Sequence, residues 1–306
     1  MRAGEPRALA RAISAVEDRG PEANGLLRAL FPYTGKGRVI GLTGAPGSGK
    51  STLVDQLARA YRQQQRAVGI VAVDPTSPYT GGAILGDRIR MLGHHGDSGI
   101  YIRSMATRGY LGGLAATTAD VASVLDAAGK DVILVETVGV GQDEVDIVRL
   151  ADVTIVILVP GMGDDVQTIK AGIMEIADVF VINKSDREGA ERVEREIRAL
   201  QTLALRSDKW TPPIVKTVAV DGVGVSELVE AIGEYQAFLQ KQDLVLKKKT
   251  ENWRERLVEM LRDSLLERVL REQMSDGAVA RYATEVAERR RDPYELVEEI
   301  VGRVGK

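Results

Sequence analysis

Short apolar runs alternate along the chain with longer segments in which apolar residues recur at helical spacing. Several runs are continuous, such as Val132-Ile133-Leu134-Val135, which is typical of strands that helices cover on both faces. We predict strands at 38–43, 67–73, 99–103, 131–136, 153–159, 178–182 and 214–218. The predicted helices between them are 51–65, 84–95, 112–128, 143–150, 165–176, 188–205 and 225–242. This alternation predicts an α/β domain with a doubly wound, mostly parallel sheet.

Helical patterns also flank the predicted sheet on both sides. We divide the chain into an N-terminal helical segment (1–36), a sheet domain (37–244) and a C-terminal helical arm (245–306). In the arm, apolar residues recur at helical spacing from Trp253 to Val269, with charged residues between them. Such a stripe needs a partner surface, so we expect the arm to contribute to a homodimer. A helical lid packed on the α/β domain is the alternative.

Composition narrows the class of protein. Of the 306 residues, 44% are hydrophobic and none is cysteine, which removes disulfides, thiolate metal sites and cysteine nucleophiles. The formal net charge of −3 gives no global attraction to nucleic acid or to an acidic membrane. No apolar stretch approaches the roughly 18 residues of a membrane span, and the N-terminus lacks the apolar core of a signal peptide. We expect a cytoplasmic protein that binds neither nucleic acid nor membrane.

A glycine-rich segment follows the first predicted strand and opens the helix after it. Its residues match the phosphate-binding P-loop pattern: Gly44, Ala45, Pro46, Gly47, Ser48, Gly49, Lys50, Ser51 and Thr52. Glycines let backbone N–H groups curl around phosphate oxygens, and the helix dipole favours an anion there. We predict that Lys50 reaches the β- and γ-phosphates of a nucleoside triphosphate and that the Ser51 hydroxyl binds Mg²⁺.

A second motif identifies the base as guanine. Asn183, Lys184, Ser185 and Asp186 follow directly after the predicted strand 178–182, in the N-K-x-D arrangement of GTP-binding proteins. The Asp186 carboxylate accepts from the two N–H donors on one edge of guanine, whereas adenine presents an acceptor there and leaves the carboxylate unpaired. We expect Asn183 to orient the loop and Lys184 to cover one face of the ring. The backbone of Val218, Ala219 and Val220 is expected to complete the base pocket.

Acidic residues at two further strand ends suggest a metal shell. Glu136 ends the run 132–136 and suits the outer shell of Mg²⁺. Asp74 ends another predicted strand, and Asp87 follows on a proline- and glycine-rich connection. We predict that the connection delivers Asp74 and Asp87 towards bound Mg²⁺ and that it is a nucleotide-dependent switch. A rigid connection with surface acids is the alternative.

Taken together, these motifs resemble the MeaB/ArgK family, the G-protein chaperones of adenosylcobalamin-dependent acyl-CoA mutases. The residues that carry the resemblance lie at 44–52, 74–78, 86–91, 136–139 and 183–186, and it extends over nearly the whole chain. It implies a homodimer that hydrolyses GTP to GDP slowly alone and faster with its mutase. It also implies that this activity gates transfer of adenosylcobalamin into the mutase and protects or rescues that enzyme. In the matching motifs, the resemblance implies that Asp74, Asp87 and Glu136 surround Mg²⁺ and the hydrolysis site.

The resemblance assigns one more segment, the family's switch III, to residues 160–170. It implies a role in partner coupling for Gly161, Asp164, Asp165, Gln167 and Lys170. Without the resemblance, this segment reads as an ordinary surface loop. The chain departs from the family pattern at two places. At Met162-Gly163-Asp164-Asp165, family members more often carry a small residue and an Asp-Glu pair. At Val218-Ala219-Val220, a Ser-Ala pair is usual.

We predict in-line attack of water on the γ-phosphate, with slow intrinsic turnover because no cis arginine finger stands out. Three alternatives remain open. A nickel-type metallochaperone needs thiolates or clustered histidines, and the chain offers only His94 and His95. A kinase of transport proteins transfers the phosphate to protein instead of water, and a non-catalytic GTP-binding scaffold releases no phosphate. The sequence does not identify which acyl-CoA mutase is the client.

Overall fold

The computed structural model describes residues 5–74, 96–106, 113–137, 150–161, 173–203, 206, 208–274 and 277–303. The chain divides into two compact units, Met1–Asn252 and Trp253–Lys306. Within the described ranges, no helix combines the length and apolar character needed to cross a membrane.

Seven strands of the described chain form one parallel sheet in the first unit. They are β1 (Arg38–Gly44), β2 (Val68–Asp74), β3 (Ile100–Ala106), β4 (Val132–Glu136), β5 (Val153–Leu158), β6 (Val179–Asn183) and β7 (Ile214–Thr217). The spatial order is β3-β2-β4-β1-β5-β6-β7. Each predicted strand is found, and the prediction of a doubly wound parallel sheet is confirmed. The order reverses direction around β1, and ligands of such sheets bind at the carboxyl ends of the strands at this switch point.

Helices cover both faces of the sheet. The helices of this unit are α1 (Pro6–Glu17), α2 (Ala23–Leu30), α3 (Lys50–Gln63), α4 (Gly113–Ala127), α5 (Ile173–Ile176), α6 (Ala190–Leu203) and α7 (Val225–Lys241), with short 3₁₀ turns at Phe31–Tyr33 and Ala219–Asp221. Helices α3 and α7 pack on one face, where Leu53 and Leu228 share a hydrophobic core with Leu42. Helices α1, α2 and α4 pack on the other, where Ile13 shares a core with Ile133. Strands β4, β5 and β6 are buried throughout, as their continuous apolar runs predict.

The N-terminal end of β6 is held by a network of buried charges around Asp178. The Asp178 carboxylate accepts from the Thr154 backbone N–H (3.0 Å), from Lys248 Nζ (2.8 Å) and from Arg206 Nη2 (3.1 Å). Lys248 lies in the first turn of α8 (Val245–Gln273) and also donates to the Tyr235 hydroxyl at 3.0 Å. The network therefore ties the start of α8 to two central strands.

The second unit contains the rest of α8 and two shorter helices, α9 (Ala278–Ala287) and α10 (Pro293–Gly302). The Asp292 side chain caps α10 by accepting from the backbone N–H groups of Tyr294 and Glu295, both at 2.9 Å. The apolar stripe predicted for this region is present on α8 but is exposed in the single chain, with Leu257 52%, Leu261 62% and Leu265 54% exposed.

The predicted helix 84–95 lies outside the described residues, as do residues 143–149 of the predicted helix 143–150 and residues 165–172 of the predicted helix 165–176.

Candidate nucleotide-binding site

The loop between β1 and α3 lies at the switch point of the sheet and has a backbone that requires glycine. Gly44 ends β1 so close to β5 that a Cβ there would lie 2.3 Å from the Ile157 carbonyl oxygen. Gly47 and Gly49 have φ angles of +77° and +92°, which L side chains rarely adopt. Helix α3 begins at Lys50, directly after the loop. Its free N–H groups and positive dipole end thus face the space that the loop encloses.

Lys50, the first residue of α3, turns its side chain back onto this loop. Its side chain is buried, and Nζ donates to the carbonyl oxygens of Gly44 (2.7 Å) and Ala45 (3.1 Å). These two bonds hold the ammonium group against the loop backbone, close to the start of α3. A phosphate group bound by the loop therefore meets a fixed positive charge together with the helix N-terminus.

The predicted metal-binding hydroxyl and the predicted acid of β4 are in direct contact. Ser51 Oγ donates to Glu136 Oε1 at 2.7 Å, and both side chains are buried. The contact arises because β4 pairs with β1 in parallel, with Glu136 beside Leu42. Oxygen donors of this kind, a hydroxyl and a carboxylate, are those that Mg²⁺ prefers. The donor set present therefore fits the expected ion.

The remaining predicted metal-shell residues are described only in part. Asp74 ends β2, and the pairing of Ala72 with Glu136 brings the ends of β2 and β4 to the same edge of the sheet. The side chain of Asp74 and the whole of Asp87 lie outside the described residues. Within the described part of the chain, no group of three or more His, Cys, Asp or Glu residues is placed to hold a metal ion.

The N-K-x-D segment is joined to the phosphate loop by two side chains. Asn183 Nδ2 donates to the Ser48 carbonyl oxygen at 2.8 Å, and Lys184 Nζ donates to the Gly47 carbonyl oxygen at 2.7 Å. Lys184 adopts a φ of +56°, and Asp186 is exposed at the end of the segment. The two predicted motifs, 139 residues apart in sequence when counted from Gly44 to Asn183 (183 minus 44), thus form one continuous site.

The segment after β7, which is predicted to complete the base pocket, contacts the N-K-x-D segment through its backbone. The Ala219 N–H donates to Asn183 Oδ1 at 3.1 Å, and the Ser185 N–H donates to the Thr217 carbonyl oxygen at 3.1 Å. Ala219 is buried, whereas Val220 is 75% exposed and lies on the 3₁₀ turn Ala219–Asp221. The start of this stretch therefore contacts the N-K-x-D segment through the Ala219 N–H.

Sequence reasoning missed Thr217, which is fully buried and whose Oγ1 donates to Asn183 Oδ1 at 3.1 Å. Its only sequence signal was its position at the end of β7, next to the stretch already assigned to the base.

Of the predicted switch residues, one lies in the part of the chain that the structure describes. Gly161 is described, with a φ of +93°. The others, namely Asp164, Asp165, Gln167 and Lys170, lie outside the described residues, as do His94 and His95.

Comparison with known proteins identifies the family of this chain. A model of the family described as methylmalonyl Co-A mutase-associated GTPase MeaB matches residues 9–274. A GTPase-family protein of Pyrococcus abyssi is 47% identical over 311 residues, which covers 99% of this chain and 95% of the relative. GTPase ArgK of Escherichia coli is 38% identical over 247 residues, covering 78% of this chain and 75% of the relative.

A mouse protein extends the comparison to animals. The mitochondrial methylmalonic aciduria type A homolog of Mus musculus is 38% identical over 218 residues, covering 70% of this chain and 52% of that protein. Among solved structures, a LAO/AO transport system kinase superposes with a TM-score of 0.73 at 25% identity, covering 100% of this chain and 95% of the other.

Proposed function

We propose that this chain, which belongs to the family of methylmalonyl-CoA mutase-associated GTPases, uses GTP hydrolysis to gate the delivery of adenosylcobalamin to an acyl-CoA mutase. We also propose that the chain protects or reactivates that mutase. The chain is a GTPase by family, and guanine-nucleotide binding follows from that membership. The identity of the client, the need for Mg²⁺ and the homodimer are parts of the proposal.

The proposal rests on the hydrogen bonds that join the phosphate loop to the N-K-x-D segment. Asn183 and Lys184 each donate to a carbonyl oxygen of the phosphate loop. A nucleotide that spans the two motifs therefore has its phosphates at Lys50 and its base near Asp186. A carboxylate at that position favours guanine, since it accepts from donors that adenine lacks.

Catalysis in this proposal consists of positioning and charge stabilisation. Lys50 and the N-terminal N–H groups of α3 stabilise the negative charge that spreads over the γ-phosphate oxygens as water attacks in line. Ser51 and Glu136 would hold Mg²⁺, with Asp74 and Asp87 as further proposed ligands. Bound Mg²⁺ supplies positive charge to the β- and γ-phosphate oxygens.

Partner binding is the proposed source of faster turnover. A partner that supplies an arginine to such a site raises kcat by roughly 10³- to 10⁵-fold. The switch residues Gly161, Asp164, Asp165, Gln167 and Lys170 are proposed to transmit the nucleotide state to the mutase. The family description names that mutase, and a mouse relative is named for methylmalonic aciduria, which supports a methylmalonyl-CoA-type client.

The experiment is GTP turnover by the purified chain, alone and with purified adenosylcobalamin-dependent acyl-CoA mutases of different substrate classes. Slow phosphate release that one mutase accelerates supports the proposal and names the client. Turnover that no mutase alters contradicts the proposed partnership while leaving the GTPase assignment in place.

One solved relative carries the word kinase in its name, so phosphate transfer to protein is the second candidate. Incubation with GTP labelled at the γ-phosphate separates the two reactions. Hydrolysis puts the label into inorganic phosphate, whereas a kinase puts it into a protein band.

A further inference from the structure

The first two turns of α8, residues 245–252, belong to the first compact unit, whereas the rest of the helix belongs to the second. The helix runs without a break from Val245 to Gln273. These two turns are therefore the part of α8 that is attached to the nucleotide-binding unit.

The sequence of these turns does not favour the start of a helix. Leu244 precedes the helix, and its side chain has no oxygen that could accept from the free N–H groups of the first turn. The first turn contains no acidic residue, and Lys247, Lys248 and Lys249 follow one another. Positive charges near a helix N-terminus oppose the helix dipole. The turns therefore depend on contacts with the rest of the unit.

One of these contacts is made by Lys248. Its Nζ donates to Asp178 Oδ2 at 2.8 Å and to the Tyr235 hydroxyl at 3.0 Å. Leu244 and Val245 are partly buried against the core that α3 and α7 share with the sheet, whereas Leu246 is 73% exposed. The attachment thus combines one charged side chain with a small apolar contact.

The carboxylate that receives Lys248 is also held by groups outside α8. Asp178 accepts from the Thr154 N–H and from Arg206 Nη2, and the Trp210 indole N–H donates to its backbone carbonyl oxygen at 2.9 Å. None of these three bonds involves Lys248. Arg206 therefore keeps a positive charge beside the buried carboxylate when Lys248 moves away, so the start of β6 does not depend on α8.

We propose that residues 245–252 form a latch, which Lys248 closes on Asp178 and which opens as a unit while the sheet stays folded. A segment with a small apolar contact and an unfavourable helix start opens at a lower free energy than a buried central strand. Because α8 continues unbroken into the second unit, opening of the latch loosens the attachment of this helix to the sheet. The latch is a property of the single chain and rests neither on the proposed mutase partnership nor on the proposed homodimer.

The test is hydrogen exchange of the full chain in a series of low urea concentrations, followed by mass spectrometry. Amides 249–252 report the latch, because in a helix they donate to the carbonyl oxygens of residues 245–248. Local opening exposes little surface, so these amides should exchange faster than those of β6 and should respond little to urea. Equal rates and equal urea dependence in the two segments would overturn the latch.

The substitution Lys248→Met tests the residue that closes the latch. We expect exchange at 249–252 to become roughly 10- to 100-fold faster, since the ion pair with a buried carboxylate is lost. The exposed neighbour supplies the matched control, and Lys247→Met should change this exchange by less than about threefold. An unchanged rate in Lys248→Met, or equal acceleration in both variants, would overturn the role of Lys248. If Lys248→Met does not fold, the urea series on the wild-type chain still decides whether the latch exists.

GDP binding shows whether the sheet stays folded when the latch is weakened. Lys248 contacts Asp178 just before β6, whereas Asn183 and the N-K-x-D segment lie at the other end of this strand. The affinity of Lys248→Met for a fluorescent GDP should therefore stay within about twofold of wild type. A loss of GDP affinity that parallels the faster exchange would contradict an opening confined to residues 245–252.

Discussion

Ser51 Oγ and Glu136 Oε1 lie 2.7 Å apart, at the point where the phosphate loop meets the end of β4. The bond joins the first turn of α3 to the strand beside β1 and so holds the hydroxyl and the carboxylate together. This pair is the best-described part of the proposed Mg²⁺ shell.

Glu136→Gln should therefore weaken the response of GTP hydrolysis to Mg²⁺. Glutamine keeps the shape of the side chain but removes the negative charge that favours the cation. We expect kcat at limiting Mg²⁺ to fall by roughly 10- to 100-fold, the usual effect of losing an outer-shell carboxylate. Turnover measured across a Mg²⁺ titration tests this, with the exposed Glu188→Gln as the control. An unchanged titration curve would remove Glu136 from the metal shell.

The substitution Asp186→Asn should change the base preference of the site from guanine to xanthine. Xanthine carries a carbonyl oxygen where guanine carries its amino group, and an asparagine amide offers that oxygen a donor. We expect GTP affinity to drop by about 100-fold or more, and xanthosine triphosphate to become the better substrate. Competition binding of both nucleotides measures the change. The exposed turn residue Asp243, substituted to asparagine, should have no such effect.

Lys248→Met should destabilise the first unit through Asp178. The change leaves the buried carboxylate with Arg206 and the Thr154 N–H but without its lysine partner. We expect a loss of about 2 kcal/mol in the free energy of unfolding, because an incompletely compensated buried charge remains. Urea unfolding measures it. The neighbouring Lys247 is exposed, and Lys247→Met should change stability by less than about 0.5 kcal/mol.

Asp152→Asn should stabilise the protein at neutral pH and have little effect in acid. Burial raises the pKa of Asp152, an effect that the nearby charges of Lys249, Lys248 and Arg38 oppose only in part. A raised carboxyl pKa means that the folded state binds more protons than the unfolded state between the two pKa values. The resulting loss of stability is absent below the unfolded pKa of about 3.9 and is complete above the raised folded pKa.

Asparagine removes the charge and keeps an oxygen that can accept from the Val39 N–H, which now bonds Asp152 Oδ2 at 2.9 Å. Unfolding free energies of both proteins, compared from pH 3.5 to pH 7, should therefore diverge as pH rises. A difference that shrinks toward neutral pH would contradict the assigned direction.

Substitutions in the exposed apolar stripe on α8 test the proposed homodimer. Leu257, Leu261 and Leu265 recur every four residues and so share one helix face. A double Leu257→Ser, Leu261→Ser variant should shift the chain from dimer to monomer in analytical ultracentrifugation, since it removes apolar area from the expected interface. Glu259→Ser, two residues from Leu257 and on the opposite side of the helix, should leave the dimer intact. A wild-type chain that is monomeric would contradict the dimer.

Local sequence patterns predicted the helices and strands of this fold. They could not predict the order of the strands in the sheet or the contacts that this order creates. The strand 132–136 and the helix after Gly49 follow from apolar runs and from a loop motif, which are local features. Strand order is not local. The motifs assigned Ser51 and Glu136 to the same metal, but the direct hydrogen bond between them, across 85 residues of sequence, followed only from the structure. Asp178 reads in sequence as the first residue of the predicted strand 178–182. Its partner Lys248 lies 70 residues further on, in a segment assigned to the arm.

We propose that the nucleotide state of this GTPase controls its partnership with a mutase. The most direct measurement is the Kd between the purified chain and an adenosylcobalamin-dependent methylmalonyl-CoA mutase, with GDP and with a non-hydrolysable GTP analogue. A coupling free energy of about 1–3 kcal/mol predicts Kd values that differ by roughly 5- to 150-fold between the two states. Equal affinities in the two states, or no binding in either, would contradict it.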